Sequence, residues 1–366
     1  MKKLLIVLFS MIAVLACGSK EVKLPISMAY ARAGEDPFLV CHSIADAESK
    51  MIDYFFRDEE DEDFDYFLFE DAIHAYPEEA MDYGFERLKE LTSIEVFDSD
   101  DGNVRIYSWT NPSMATMGDY GCILQYRWKG KVKFGTFIHN RDEYELATRG
   151  FYTLEDGLYI RYAYLREWST QAYAIAETYK LSKDGLEEVF LFETEDGLSE
   201  EIDMEYNIPD WYFRAGRGEG FKWIFHYDES NQILYFPSTP EYNIISDRYI
   251  PYKWNGKTML PLSEVGNPFL HPSLRGYEIL ELLAKTERNI IRVDKIADGN
   301  YRYTAWPVAK SMYDSPDIIL KNGEYYGEQH QWIFRNQDIE YRISESEVSV
   351  LKDKKVLAKW DVLNEF

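Results

Sequence analysis

The chain contains the nine residues Asp101–Trp109 (DGNVRIYSW), and this stretch recurs at Asp298–Trp306 (DGNYRYTAW) with five identities. Each copy begins with Asp-Gly, which tolerates the positive φ of a type I′ turn and is a strong short-range signal for a β-hairpin. The aromatic and β-branched residues that follow favour strands. We therefore predict one kind of hairpin at both ends of the β-rich region. It belongs either to two β domains or to two units of one closed array, such as a propeller.

Further turn dipeptides extend this pattern from residue 94 onward. Repeated hairpin turns without long helices between them indicate antiparallel meanders, so we predict a mainly β fold. A Pro-containing segment at 267–272 marks the expected boundary between a β-meander domain, residues 94–266, and a C-terminal β domain, residues 267–366. One short helix is expected around Gly276–Leu283. The other turn dipeptides are Asp156-Gly157, Asp184-Gly185, Asp196-Gly197, Asn255-Gly256 and Asn322-Gly323.

Residues 36–93 are the exception, because their apolar side chains recur at helical spacing. Asp36-Pro37 provides an N-cap followed by Pro at the first helical position, and a second helix is predicted to begin at Pro77. Seven of the eight residues 58–65 are acidic. A calcium-binding EF-hand loop needs Gly at its sixth position and Glu at its twelfth. The run lacks both, so we predict a solvated loop in a short N-terminal helical segment.

The composition excludes several classes of partner. The 366 residues include 40 Lys and Arg against 65 Asp and Glu, which gives a formal net charge of −25. Proteins that bind nucleic acid gain affinity from Lys and Arg that displace counterions from phosphates, so nucleic acid is excluded as the main partner. The same charge excludes electrostatic attachment to an anionic bilayer. Hydrophobic residues make up 46% of the chain, which excludes global disorder.

The N-terminus has the pattern of a signal peptide. Lys2 and Lys3 precede the apolar run Leu4–Ala16. This run is too short to cross a bilayer, which takes about 20 apolar residues, but it has the length of a signal-peptide core. It ends in Val14-Leu15-Ala16-Cys17, which resembles a bacterial lipobox.

The lipobox resemblance implies a lipoprotein signal peptide at residues 1–16, cleavage before Cys17 and acylation of that cysteine. Residues 17–35 would then be a lipidated tether. An ordinary secreted protein, in which Cys17 only happens to lie near the cleavage site, is the alternative.

Five short motifs occur along the chain, at Ser99–Trp109, Tyr301–Trp306, Pro316–Leu320, Asn322-Gly323 and Phe334–Asn336. Together they resemble an uncharacterised family of Gram-negative envelope lipoproteins. The resemblance implies no known activity. Gly18 and Ser19, with no Asp beside Cys17, resemble outer-membrane sorting, and Ser19-Lys20-Glu21 resembles a surface-export signal. Residues 111–116 depart from the Gly-Gly-Thr-Met-like turn expected there.

Two further cysteines, Cys41 and Cys122, would lie outside the cytoplasm, where disulfides persist. Closing a loop of about 80 residues would stabilise the fold by about 4 kcal/mol in the chain-entropy model. The alternative is two buried thiols, since free cysteines pack well in cores. Both readings stay open.

The sequence contains no recognisable catalytic or metal-binding motif. Its six histidines lack the spacing of a zinc helix, and there is neither a Cys-x-x-Cys nor a Gly-x-Ser-x-Gly motif. We therefore predict no metal site, no cofactor and no assigned catalytic residue. The best paired carboxylates are Asp203 and Glu205, which a strand would place on one face about 6.6 Å apart. That is close to the spacing in inverting glycosidases, although two acids facing water would give the same pattern.

The repeated Arg and Trp residues are the best candidates for ligand binding. Arg105 and Trp109 lie on one face of a strand about 13 Å apart, as do Arg302 and Trp306. They would provide a ring-stacking platform with a charge-assisted donor, suited to a sugar or peptide. The alternative is a core Trp beneath an Arg that reaches to solvent, and repetition within the chain favours this structural role.

These observations favour a lipid-anchored, non-enzymatic protein of the cell envelope with a binding or structural role. Its expected partners are the membrane, through the anchor, and a glycan or another envelope protein. One alternative is an envelope glycan hydrolase. Another is an inhibitor of host lysozyme, because residues 273–366 are predicted to form a small barrel similar to lipid-anchored inhibitors of that enzyme.

Overall fold

The computed structural model describes ten segments of the chain. They belong to two compact units, a helical unit up to residue 92 and a β unit from residue 93. The predicted signal peptide and tether, the acidic run and residues 112–116 lie outside the described segments. Those segments are 42–55, 66–92, 94–111, 119–135, 146–166, 171–207, 225–238, 247–268, 270–296 and 299–363.

The described part of the helical unit contains four helices, of which the last three follow one another through short connections. The predicted helix start at Pro77 is confirmed, but Phe85, with a φ of 52°, separates two helices where one was expected. The buried Glu48 carboxylate accepts hydrogen bonds from Tyr83 Oη at 2.6 Å and from the backbone N–H of Leu88 at 3.0 Å. The helices are α1 (Ile44–Phe55), α2 (Tyr66–Ala75), α3 (Pro77–Ala80) and α4 (Glu86–Leu91).

The β unit confirms the mainly β prediction and begins with a four-stranded antiparallel meander, sheet 1. Asp101-Gly102 forms the turn between its first two strands, and Gly102 has a φ of 65°. The first copy of the repeat is therefore a hairpin, as predicted. The strands are β1 (Glu95–Asp98), β2 (Val104–Asn111), β3 (Asp119–Trp128) and β4 (Lys131–Gly135), in that order.

The next eleven strands form sheets 2 and 3. They are β5 (Ala147–Glu155), β6 (Leu158–Arg166), β7 (Gln171–Ser182), β8 (Gly185–Glu188), β9 (Phe192–Thr194), β10 (Gly197–Ser199), β11 (Glu201–Asn207), β12 (His226–Asp228), β13 (Ile233–Pro237), β14 (Tyr249–Trp254) and β15 (Met259–Pro261). Sheet 2 has the order β11-β7-β6-β5, with β8 also paired to β7, and sheet 3 has the order β10-β9-β15-β14-β13-β12. All described pairs in these sheets are antiparallel except β9 with β15.

The last eight strands form one antiparallel meander that curls into a half-barrel. The described residues of the second copy of the repeat, 299–306, lie in its β17–β18 hairpin, and Asp298 lies outside the described residues. The strands are β16 (Tyr277–Lys285), β17 (Asn289–Ile296), β18 (Tyr301–Pro307), β19 (Ile318–Tyr326), β20 (Gln331–Asn336), β21 (Ile339–Ser344), β22 (Glu347–Lys352) and β23 (Lys355–Asp361).

Two local predictions in the half-barrel are wrong. The helix expected at Gly276–Leu283 is strand β16, whose register skips Glu278 and Glu281 as bulges. Asn322-Gly323 is not a hairpin turn but lies inside β19, where Asn322 has a φ of 59°. β19 pairs with β18 as far as Gly323 and with β20 from Glu324 onward, and its register with β18 shifts between Leu320 and Gly323. The positive φ of Asn322 therefore lies in a bulge, where the strand passes from one half of the sheet to the other.

The cores lie between these layers. Sheet 1 packs on sheet 2 through one buried cluster, sheet 2 packs on sheet 3 through a second, and the half-barrel encloses a third. Leu270 and Leu274, from the expected boundary segment and just beyond it, pack against Trp306. The described residues from 93 onward belong to one compact unit, and the boundary expected at residue 267 stays a prediction. Within the described residues, no helix has both the length and the apolar composition to span a membrane.

Candidate functional site

Two of the three cysteines of interest, Cys17 and Cys41, lie outside the described residues. Cys122 lies on β3 and is half-buried, with its Sγ 3.9 Å from Thr148 Oγ1. Lipidation of Cys17 and pairing of Cys41 with Cys122 therefore stay predictions.

The first Arg-Trp pair lies in sheet 1. Arg105 faces its cross-strand partner Asp98 and donates two hydrogen bonds, from Nε to Oδ1 at 2.5 Å and from Nη2 to Oδ2 at 2.9 Å. Only 5% of Arg105 is exposed. The Trp109 ring is also buried and covers Gly121, its partner on β3. The bidentate pair of Arg105 with Asp98 joins β1 to β2 across the turn of the hairpin.

The second pair lies in the half-barrel and repeats this arrangement. Arg302 faces Asp294 across the β17–β18 hairpin and donates to Asp294 Oδ2 from Nη2 at 2.7 Å and from Nε at 3.2 Å. Asp294 is completely buried, and its Oδ1 accepts a further hydrogen bond from Arg292 Nε at 2.7 Å. Trp306 is completely buried and donates from Nε1 to the carbonyl oxygen of Asp314 at 2.9 Å.

The repeated residues are therefore placed in two cores, each in a separate sheet. Neither Trp109 nor Trp306 presents an exposed ring face in this structure. This placement agrees with the alternative in which the two tryptophans are core residues and not a ligand platform. The arginines differ from that alternative, because Arg105 and Arg302 are buried and paired with aspartates instead of reaching to solvent.

Asp203 and Glu205 lie on the exposed face of β11, as the alternation of the sequence predicts. Ile202, Met204 and Tyr206 point the other way and are buried in the core between sheets 2 and 3. The two carboxylates therefore share one solvent-facing surface. Among the described residues, no three His, Cys, Asp or Glu side chains are grouped closely enough to hold a metal ion.

Sequence reasoning missed a buried ion pair in sheet 2. Arg161 on β6 is completely buried and donates from Nη1 to Glu177 Oε2 at 3.1 Å and from Nε to Thr148 Oγ1 at 2.8 Å. Burial alone would lower the pKa of Arg161, but the Glu177 carboxylate raises it above its usual value. No short motif links residues 161 and 177. The signal that brings them together is the register of β6 with β7, which makes them direct cross-strand partners.

Sequence reasoning also missed an aromatic group at one end of the half-barrel, which we name the aromatic mouth and define as Tyr301, Tyr325 and Trp332. The Tyr325 ring lies 5.0 Å from the Trp332 ring and 6.2 Å from the Tyr301 ring, measured between centroids. Trp332 is buried, Tyr301 is half-buried and 39% of Tyr325 is exposed. The β19–β20 register pairs Tyr325 with Trp332.

Polar groups surround the aromatic mouth. The Tyr325 hydroxyl lies 3.2 Å from His330 Nδ1. Burial raises the pKa of Glu281, and the positive charge of Lys295 partly opposes this increase. The pKa of Tyr301 is also raised, first by burial and then by the negative charge of Glu281. Within the described segments, the buried Trp332 Nε1 donor has no hydrogen-bond partner. The aromatic mouth therefore offers the accessible ring of Tyr325 and the unsatisfied Nε1 donor of Trp332, and the half-buried carboxylate of Glu281 lies close to it.

Comparison with known proteins identifies no family. No protein-family model matches the chain, and no curated protein matches it. One similar solved structure is a β-1,3-galactosidase of glycoside hydrolase family 43 with galactodeoxynojirimycin, at 12% sequence identity and a TM-score of 0.22. The match covers 75% of this chain and 99% of that chain. A TM-score of this size carries no weight in assigning a fold or a function.

Proposed function

We propose that this protein is a lipid-anchored, non-enzymatic binding protein of the bacterial cell envelope. The observation that carries the proposal is the sequence Val14-Leu15-Ala16-Cys17 at the end of a short apolar run. Each buried methylene of an acyl chain contributes about 0.8 kcal/mol, and two or more chains hold a protein stably on a membrane. Acylation of Cys17 would therefore attach an acidic protein that has no electrostatic affinity for an anionic bilayer. Gly18 and Ser19 support sorting to the outer membrane.

The placement of the charged residues supports a binding or structural role. Arg105 and Arg302 are each occupied by an aspartate within the same hairpin. In this position each repeated arginine links the two strands of its own hairpin. The accessible aromatic group of the half-barrel, in contrast, is available to a ligand.

The labelling experiment follows directly from the proposed anchor. The full-length chain and its Cys17→Ala variant are expressed in a Gram-negative host with radiolabelled palmitate, and membranes are separated by density. We expect label and outer-membrane recovery for the parent chain and neither for the variant. Unlabelled parent protein recovered with the cytosol would overturn the proposal.

A second candidate function is inhibition of lysozyme by the half-barrel. The observation that favours it is the continuous eight-stranded meander of residues 277–361, which curls into a half-barrel in the segment where a small barrel was predicted. Residues 273–366 contain 14 Lys and Arg and 16 Asp and Glu. This segment is thus nearly neutral. Its net charge would not attract a basic enzyme, so inhibition would have to depend on a fit between the two surfaces. Absence of inhibition of any lysozyme tested with the full-length protein would remove this candidate.

The hydrolase alternative rests on Asp203 and Glu205. It is tested by offering envelope glycans to the full-length protein and measuring newly formed reducing ends. The non-enzymatic proposal predicts no release above a heat-treated control. Release that is lost in the Asp203→Asn and Glu205→Gln variants would replace it with a hydrolase.

A further inference from the structure

The aromatic mouth lies on the same face of the half-barrel sheet as its core. Gly323 and Phe334 pack together on this face, and Tyr325 follows Gly323 by two residues along β19, which returns its side chain to the same side. Tyr326, the next residue, is 40% exposed and lies on the other side, where its hydroxyl donates to Glu324 at 2.6 Å. Tyr325 is therefore the accessible end of an otherwise buried aromatic core, a position typical of ligand sites in β-barrels.

The Tyr325 ring is held in place before any ligand arrives. Its contact with the buried Trp332 fixes one side, and its hydroxyl lies within hydrogen-bond distance of His330. A ring that is already ordered loses little conformational entropy on binding, so more of the contact energy appears as affinity. Exposed aromatic rings fixed in this way are suited to stack on a flat, partly apolar ligand.

The polar groups favour a neutral ligand over a charged one. Glu281 is a half-buried, bulged residue of β16, the second strand over from Tyr301 in the sheet, and its charge raises the pKa of Tyr301. This carboxylate and the net charge of −25 oppose an anionic ligand. A cationic ligand would have to compete with Lys295, which already interacts with Glu281. A ligand rich in hydroxyl groups can instead donate to the carboxylate without bringing charge.

We propose that the aromatic mouth is a binding site for neutral glycans, with one pyranose ring stacked on Tyr325 and its hydroxyl groups donating to Glu281. Pyranose rings have apolar C–H faces and polar edges, which match a ring platform bordered by a carboxylate. The glycan site rests on the proposed function, because it assumes that the protein binds its ligand without catalysis.

The test uses the full-length protein purified in detergent, with cellohexaose and chitohexaose as probes in isothermal titration. We expect saturable binding of at least one probe. Tyr325→Ala should weaken it by about tenfold, equivalent to about 1.4 kcal/mol, and Glu281→Gln should weaken it by a similar factor. Tyr325→Phe should retain binding because it keeps the ring. Tyr326→Ala is the matched control, since it removes an equally exposed tyrosine from the opposite face, and it should leave affinity unchanged.

Three outcomes would overturn the glycan site: neither probe binds, Tyr325→Ala binds like the parent chain, or the Tyr325 surface captures a protein and no glycan. Thermal unfolding of each variant separates loss of the site from loss of the fold. Failure of palmitate labelling would remove the proposed anchor without changing these titrations. Conversely, failed titrations together with palmitate labelling would remove only the glycan site.

Discussion

The Phe334 ring occupies the space that a side chain on Gly323 would need. The two residues come from neighbouring strands, β19 and β20, at the position where β19 leaves one half of the half-barrel and joins the other. Glycine is therefore required here by contact with a buried ring. The adjacent Asn322 supplies the positive φ that turns the strand.

We predict that Gly323→Ala destabilises the protein by about 2 kcal/mol, because the added methyl group overlaps Phe334 in a packed core. Urea unfolding measures the change. The control is Gly327→Ala, whose added methyl group would meet only ordinary contact distances, the nearest being 3.8 Å from Tyr325. Equal stability of the two variants would show that the Phe334 ring does not require glycine at position 323.

The turn dipeptides predict some hairpin turns correctly and one wrongly. Asp156-Gly157 and Asn255-Gly256 lie between paired strands, as predicted. Asn322-Gly323 has the same composition, but its preference for positive φ serves a bulge and not a chain reversal. The sequence of the dipeptide cannot distinguish these two uses, because the difference depends on which strands pair on either side.

A second prediction concerns the buried charge of the half-barrel. Asp294→Asn should destabilise the protein by about 3–5 kcal/mol, because it leaves the buried guanidinium groups of Arg292 and Arg302 without their carboxylate. Thermal or urea unfolding measures the loss. The matched control is Asp317→Asn, which breaks an exposed pair with Lys310 and should cost less than about 1 kcal/mol. Similar losses in both variants would contradict a special role for the buried cluster.

The partners of the candidate site residues also depend on strand register, which the sequence does not reveal. The repeat correctly singled out Arg105 and Arg302 as equivalent, but the aspartates that pair with them lie on the preceding strands and outside the nine-residue match. Tyr325 and Trp332 face each other only because a short 3₁₀ turn at 327–329 sets the β19–β20 register. Alternation could place each residue on a face, but it could not align one strand with the next.

A third prediction is a pH dependence at the first hairpin turn. Burial alone would raise the pKa of Asp101, but hydrogen bonds from Ser99, Tyr159 and the backbone N–H of Asn103 hold it below its usual value. Because the folded pKa is lowered, the ionised carboxylate stabilises the fold above the unfolded value of about 4, and this contribution is lost as pH falls through the folded pKa.

Asp101→Asn should therefore cost about 1 kcal/mol at pH 7, a modest value because solvent screens a half-buried carboxylate. The gap between variant and parent should narrow as pH falls from 5 to below about 3. Urea unfolding across this range measures it. Asp184→Asn, at another Asp-Gly turn, is the control and should leave stability at pH 7 nearly unchanged. A gap that stays constant with pH would contradict the stated role of Asp101.

Our proposal of an envelope lipoprotein depends on one claim: the chain is cut before Cys17, and acyl groups on that cysteine hold it in the envelope. Mass spectrometry of the N-terminal tryptic peptide from membrane-extracted protein tests it most directly. We predict a peptide of residues 17–20 that begins at Cys17 and carries the mass of attached lipid. An unmodified peptide that contains Cys17, or one that still includes Ala16, would contradict the claim.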